Sequence, residues 1–192
     1  MAAQQSELPA LSFPLLPKKG IIRASDQEKA FEVQPLDQLP GFLLASACQN
    51  LKINPPTLHL GWRIDDALLV RLCKERGIVP SHENLKEYLK DDGYVFNSDD
   101  GSEEEEDGKP GFVHKMEAFR RRCEELQLNV FPDLAPICDP STKTMGYAVT
   151  VLSNYNFEDG ELDRAEWPKI MREFGLEGQP KWYIDYVEWY WK

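Results

Sequence analysis

Histidine and cysteine are scarce in this sequence, three and four among 192 residues, and neither is spaced for chemistry. His59, His82 and His114 stand apart from each other and from any cysteine at ligand spacing, which argues against zinc. Cys48, Cys73, Cys123 and Cys138 contain no CxxC pair, so free core thiols are expected and not a disulfide framework. The GxSxG elbow, GxGxxG, the P-loop and HExxH are absent too. No catalytic, cofactor-binding or metal-ligating residue is assigned, and no cofactor is expected. Cys138, in the loop-like PICDP, is the candidate nucleophile should it meet a histidine in the fold. The carboxylates Asp65 and Asp66 are better explained as helix-start residues than as an acid/base pair.

Membrane and nucleic-acid signals are lacking as well. The N-terminal stretch has no basic region, and Pro9, Pro14 and Pro17 interrupt its apolar residues, so neither a signal peptide nor a transmembrane helix is expected. The reading is of a protein inside the cell, cytoplasmic or nuclear. Net charge is −11, but seven of the acids (Asp99, Asp100, Glu103, Glu104, Glu105, Glu106 and Asp107) form one run, and without them the balance is about −4. Such a balance argues against nucleic acid as a general partner, since phosphate binding needs a basic footprint.

What is present suggests one compact α+β domain, with amphipathic helices packed on a small sheet. Residues 1–19 are proline-spaced and read as a flexible arm, whose LSFPLLP could dock in a partner's groove or strap over the domain itself. Residues 20–192 read as the single globular domain. Within it, 21–23 and 30–33 look like short strands, and FLLASACQNL like a short buried helix stopped before Pro55 and Pro56. The stripe Ile64, Leu68, Leu69, Leu72 and Cys73 predicts a helix with acids at its start, Lys74 and Arg76 at its end, and a Gly77 stop. Pro80 and Ser81 open a second helix. The pair has the outline of a helix-turn-helix, but Lys86 and Lys90 are offset by Glu83 and Glu87, so no positive face is offered to DNA.

Residues 97–110 are acidic and glycine-rich and read as a disordered loop, in which Ser102 before four glutamates is a candidate phosphorylation site. Beyond it, Phe112, Met116, Phe119, Cys123 and Leu126 step at helical spacing. His114, Lys115, Arg120, Arg121 and Arg122 then fall on the outer side, and the three arginines are candidate partner contacts or intramolecular counterions for the acidic loop. PDLAPICDPS reads as a rigid connection. From 144 to 152 the chain alternates like a strand, with Met145, Tyr147, Val149 and Val151 on one face and room for a helix over Gly146 and Ala148.

YNFEDGELDRAE, residues 155–166, resembles an EF-hand loop only from Gly160 onward. Tyr155 and Phe157 occupy ligand positions that they cannot serve, so calcium is not expected. Asp163 and Glu166 suit a helix start instead, with Pro168 marking where the helix restarts.

Finally KWYIDYVEWYWK, 181–192, has Lys181, Asp185, Glu188 and Lys192 at spacings of 4, 3 and 4, which predicts a helix although its residue types favour strand. Trp182, Tyr186, Trp189 and Tyr190 would either fill the domain's core or anchor a protein partner or a second copy. The function expected is a protein-binding or regulatory module. The alternative is a small enzyme whose site is assembled from dispersed Cys/His or carboxylate groups.

Overall fold

A computed structural model describes residues 12–78, 109–128, 132–157 and 164–192. The chain is α+β, as its patterns predict, and it divides into two compact units. One comprises Met1–Ile64 with Pro132–Lys192, the other Asp65–Phe131. Of the sequence-based expectations, the arm up to residue 11, the helix from Ser81, the acidic loop with Ser102, and the turn around Gly160 lie outside the described residues.

The first unit is built on four strands, β1 (Leu58–Ile64), β2 (Asp133–Asp139), β3 (Thr144–Ser153) and β4 (Lys181–Ile184), in the order β2-β3-β1-β4. Every neighbouring pair is antiparallel. Alternation sends successive side chains to opposite faces. Leu58, Leu60, Cys138, Trp182 and Ile184 therefore share one face, packed against Leu15, Ala30, Phe31 and Leu43 from the preceding segment. Ile137, Ala148 and Tyr183 cluster on the other. The β1–β3 register slips between Leu60 and Gly61, leaving Val151 as the extra residue of a bulge. At Gly61 a Cβ would meet the Val149 carbonyl oxygen at 2.1 Å, so the close approach of the two backbones requires glycine there.

Short helices precede the sheet: α1 (Glu28–Glu32) and α2 (Ala45–Cys48). The expected strand at 30–33 is thus the end of a helix, and 21–23 is in no strand among the described residues. Ala30 and Phe31 are apolar neighbours because both turn inward from one side of α1, not because they alternate. Of the arm, Phe13 meets Trp189 edge-on at 5.8 Å, and the Trp191 Nε1–H donates to the Pro14 carbonyl at 2.8 Å. This places the strap on its own unit.

Two further expectations are corrected. PDLAPICDPS is not a connection but strand β2. Proline can enter it because β2 lies at the sheet's edge, and its outward carbonyl at Pro136 accepts the Tyr186 N–H at 3.1 Å. Residues 181–192 are not a helix. Leu60 of β1 stands opposite Trp182, and Leu36 exchanges both backbone hydrogen bonds with Trp182 at 2.9 Å, so long-range pairing decides for strand. Past Ile184, Asp185 bridges to Ile137 and caps a turn, its Oδ1 accepting the N–H groups of Val187 and Glu188 at 2.7 Å each. The Lys192 and Asn54 backbones then pair in both directions, tying down the last residue. Gly146 leaves room for Asp139, whose Cβ would lie 2.7 Å from an added methyl, and not for a helix.

After β3 the chain forms α5 (Trp167–Phe174), with Pro168 in its first turn and Gly175 closing it at φ 61°. Ile170 and Phe174 are its buried residues.

The second unit, inserted between β1 and β2, contains α3 (Asp66–Glu75) and α4 (Phe112–Glu125), packed together. Asp65 caps α3 by accepting the Ala67 N–H at 3.0 Å, and Gly77 ends it with the Ile78 N–H on the Cys73 carbonyl. α4 is turned from the expected orientation. Its buried residues are His114, Lys115, Ala118, Phe119 and Cys123, so the His114 and Lys115 pair faces inward. Lys115 can be there because its ammonium reaches Asp66 at 2.7 Å.

Candidate functional site

The side chains that converge on one concavity all belong to the sheet unit. Trp182 from β4 and Leu60 from β1 are opposite each other on the same face, and Leu44 follows the turn before α2. Phe157, just past β3, meets Trp182 at 5.6 Å with the ring planes inclined by 64°. Trp167, at the start of α5, stands edge-on to Trp62 at 5.1 Å. Leu44, Leu60, Phe157, Trp167 and Trp182 line a cleft of about 480 Å³.

Trp182 is only 4 % exposed at the floor of the cleft, whereas Phe157 at the side is 39 % exposed. Polar groups reach the rim. Gln38 and Gln179 bring carboxamides, each both donor and acceptor, and Asp37 lines the cleft while pairing with Lys181 at 3.2 Å. The Arg164 guanidinium lies over the Trp167 ring, 5.2 Å from its centroid, a distance at which the ring quadrupole attracts the cation. Among the described residues no carboxylate is paired with it. A cleft with an apolar floor, ring walls and a few polar rim groups is built to hold one apolar group and orient it.

A second constellation joins residues that the sequence scattered. His59 Nε2 is 3.0 Å from Asp185 Oδ2, the arrangement by which a carboxylate orients an imidazole. Next to it Cys138 Sγ donates to the Asp185 carbonyl at 3.7 Å. Burial pushes this thiol up to about 12, with the Asp185 charge adding to the rise and a hydrogen bond from Gln27 opposing it. Cys138 is 0 % exposed, so neither thiolate nor access is provided for nucleophilic attack. Among the described residues no hydroxyl or thiol hydrogen-bonds to His59. The pair therefore fastens β1 to the turn after β4.

A third polar pair, Arg63 and Asp139, meets at 2.7 Å. Burial alone would raise the Asp139 carboxyl. Hydrogen bonds from the Ser141 hydroxyl and N–H and from Arg63 outweigh that and hold it below the usual carboxylate range.

The residues singled out by sequence fall in different places. Trp182 and Trp189 are in the core, and Tyr186 and Tyr190 are half-buried against it. Arg120 pairs with Glu117 and Glu124, Arg121 with Glu117, and Arg122 with Glu125, all on α4 itself. Tyr155 and Phe157 of the calcium-like stretch are used in packing, the Tyr155 hydroxyl donating to the Pro55 carbonyl at 2.8 Å. Among the described residues no cluster of three or more metal-ligating side chains occurs. None of the described helices is long and apolar enough to cross a membrane. Sequence reading flagged Trp182 but missed its cleft neighbours Leu44, Leu60 and Arg164. The available signal was the density of large rings between 155 and 167. No family model, curated protein or solved structure matches this chain.

Proposed function

We propose that the protein is a binding module, and that it takes an apolar residue of a partner polypeptide into the aromatic cleft of the sheet unit. The observation that carries this reading is the cleft of about 480 Å³ itself, preformed between Trp182, Phe157 and Trp167 and rimmed by carboxamides and a cation. Aromatic walls supply the area that makes anchor residues effective, and a preformed pocket costs little ordering on binding. The buried and protonated Cys138 supports binding over covalent chemistry.

The test is titration with short peptides of varied anchor residue, read by tryptophan fluorescence, because Trp167 and Trp182 line the site. Peptides with an aromatic or large aliphatic anchor should perturb the emission saturably. Phe157→Ala should weaken that binding at least tenfold while leaving the melting temperature within a few degrees. Equal binding by the variant would remove the cleft from consideration.

A further inference from the structure

We propose that the cleft captures the C-terminal residue of its partner, seating an aromatic side chain against Trp182 and Phe157 and the terminal carboxylate on Arg164. This inference rests on the binding reading above and names the partner's chemistry. Its starting point is charge. Asp37, the acid among the described lining residues, is already matched by Lys181 at 3.2 Å, whereas among the described residues Arg164 has only the Trp167 ring beside it. The planar fork of the exposed Arg164 guanidinium can meet one carboxylate through two parallel hydrogen bonds. A phosphate carries more charge than one guanidinium balances, and no second unpaired cation lines the cleft among the described residues.

The apolar part of the ligand follows from the walls. Phe157 and Trp182 already pair edge-to-face, a geometry that a third ring extends. A cleft of about 480 Å³ is larger than one ring with its carboxylate requires. The remaining space is bordered by Gln38 and Gln179, whose carboxamides match the N–H and C=O of a peptide bond. A chain terminus supplies all three elements in the same order: ring, carboxylate, and the peptide unit before them. Recognition of a terminal carboxylate is an established way for a module to read a peptide end.

The experiment uses the full chain and three probes: a hexapeptide ending in phenylalanine with a free carboxylate, the same peptide amidated, and 3-phenylpropionate. Calorimetry and tryptophan emission give the affinities. The free-acid peptide is expected to bind at least tenfold more tightly than the amide and at least tenfold more tightly than 3-phenylpropionate. Arg164→Gln should abolish the acid-over-amide preference and Arg164→Lys should restore part of it. Arg164 is exposed, so these variants should keep the parent's near-ultraviolet circular dichroism. Equal affinity for acid and amide overturns carboxylate capture while leaving the cleft as a binding site. Equal affinity for 3-phenylpropionate and the peptide overturns the polypeptide as ligand. Failure of both peptides to bind removes the proposal and the binding reading together.

Discussion

The two units treat their buried polar atoms in opposite ways. In the sheet unit, Asn154 is 2 % exposed and fully employed. Its Oδ1 accepts the Leu58 N–H at 2.8 Å, and its Nδ2 donates to the Leu43 and Pro56 carbonyls at 2.7 and 3.0 Å. Gln34 does the same beside β4, donating to the Ala30 and Cys138 carbonyls and accepting from the Ile184 N–H. In the helical unit, both ring nitrogens of His114, 1 % exposed, and Nε of Arg76 have no hydrogen-bond partner among the described residues. The sheet unit uses side-chain amides to fix which loop lies on which strand. The helical unit combines an apolar stripe with the interhelical ion pairs of Lys115 with Asp66 and Arg76 with Glu125. Satisfied networks specify a unique arrangement, whereas an unsatisfied buried group costs stability.

Substitutions can break this contrast. The largest effect is expected at Asn154. Asn154→Leu strands three buried backbone groups, and a chemical denaturation curve should lose roughly 3 to 5 kcal/mol. Gly61→Ala comes next, at about 3 kcal/mol, because its methyl would collide with the β3 backbone and the bulge would have to move.

Acid titration probes the sheet unit in another way. The lowered Asp139 carboxyl contributes stability that is fully present above the ordinary range, about pH 4, and is lost as pH falls through its depressed native value. Melting temperature should therefore drop on that acid limb, and Asp139→Asn should flatten it.

The helical unit should respond with the opposite sign. His114→Leu removes two unpaired buried nitrogens and keeps an apolar residue of similar reach, so stability should rise by about 1 kcal/mol. A loss there would mean that His114 has a partner in solution, and the contrast would fail. The smallest effect belongs to the arginines of α4. Arg120→Gln should change stability by less than about 1 kcal/mol, because its guanidinium is more than half exposed and Glu117 keeps its pair with Arg121.

Local elements were legible where the chain itself carried their boundaries. α3 announced both ends, through Asp65 and Gly77, and β3 alternated along nearly its whole length. β2 was hidden by Pro136, whose tolerance depends on an edge position that only the full strand order defines. The segment 181–192 was misread because its charges stand at helical spacing. Yet Glu188 and Lys192 do pair, at 2.5 Å, without a helix between them. The turn capped by Asp185 brings them together instead. The cleft was legible only in its ingredients. Trp182, Phe157 and Trp167 are conspicuous as rings, but Leu44 and Leu60 join them through strand pairing and loop anchoring across more than a hundred residues.

The strand order also sets a timetable for synthesis. β1 lies between β3 and β4, and the whole helical unit is encoded before any of its strand partners. At ribosomal rates of about 5 to 20 residues per second, β1 waits on the order of ten seconds for β3, the first strand it pairs with, to be made. During that interval Leu58, Leu60 and Trp62 have no sheet to join, while α3 and then α4 are completed. A nascent chain stalled after residue 140 should hold its helices and recruit chaperones to 58–64, and one extended through Lys192 should release them.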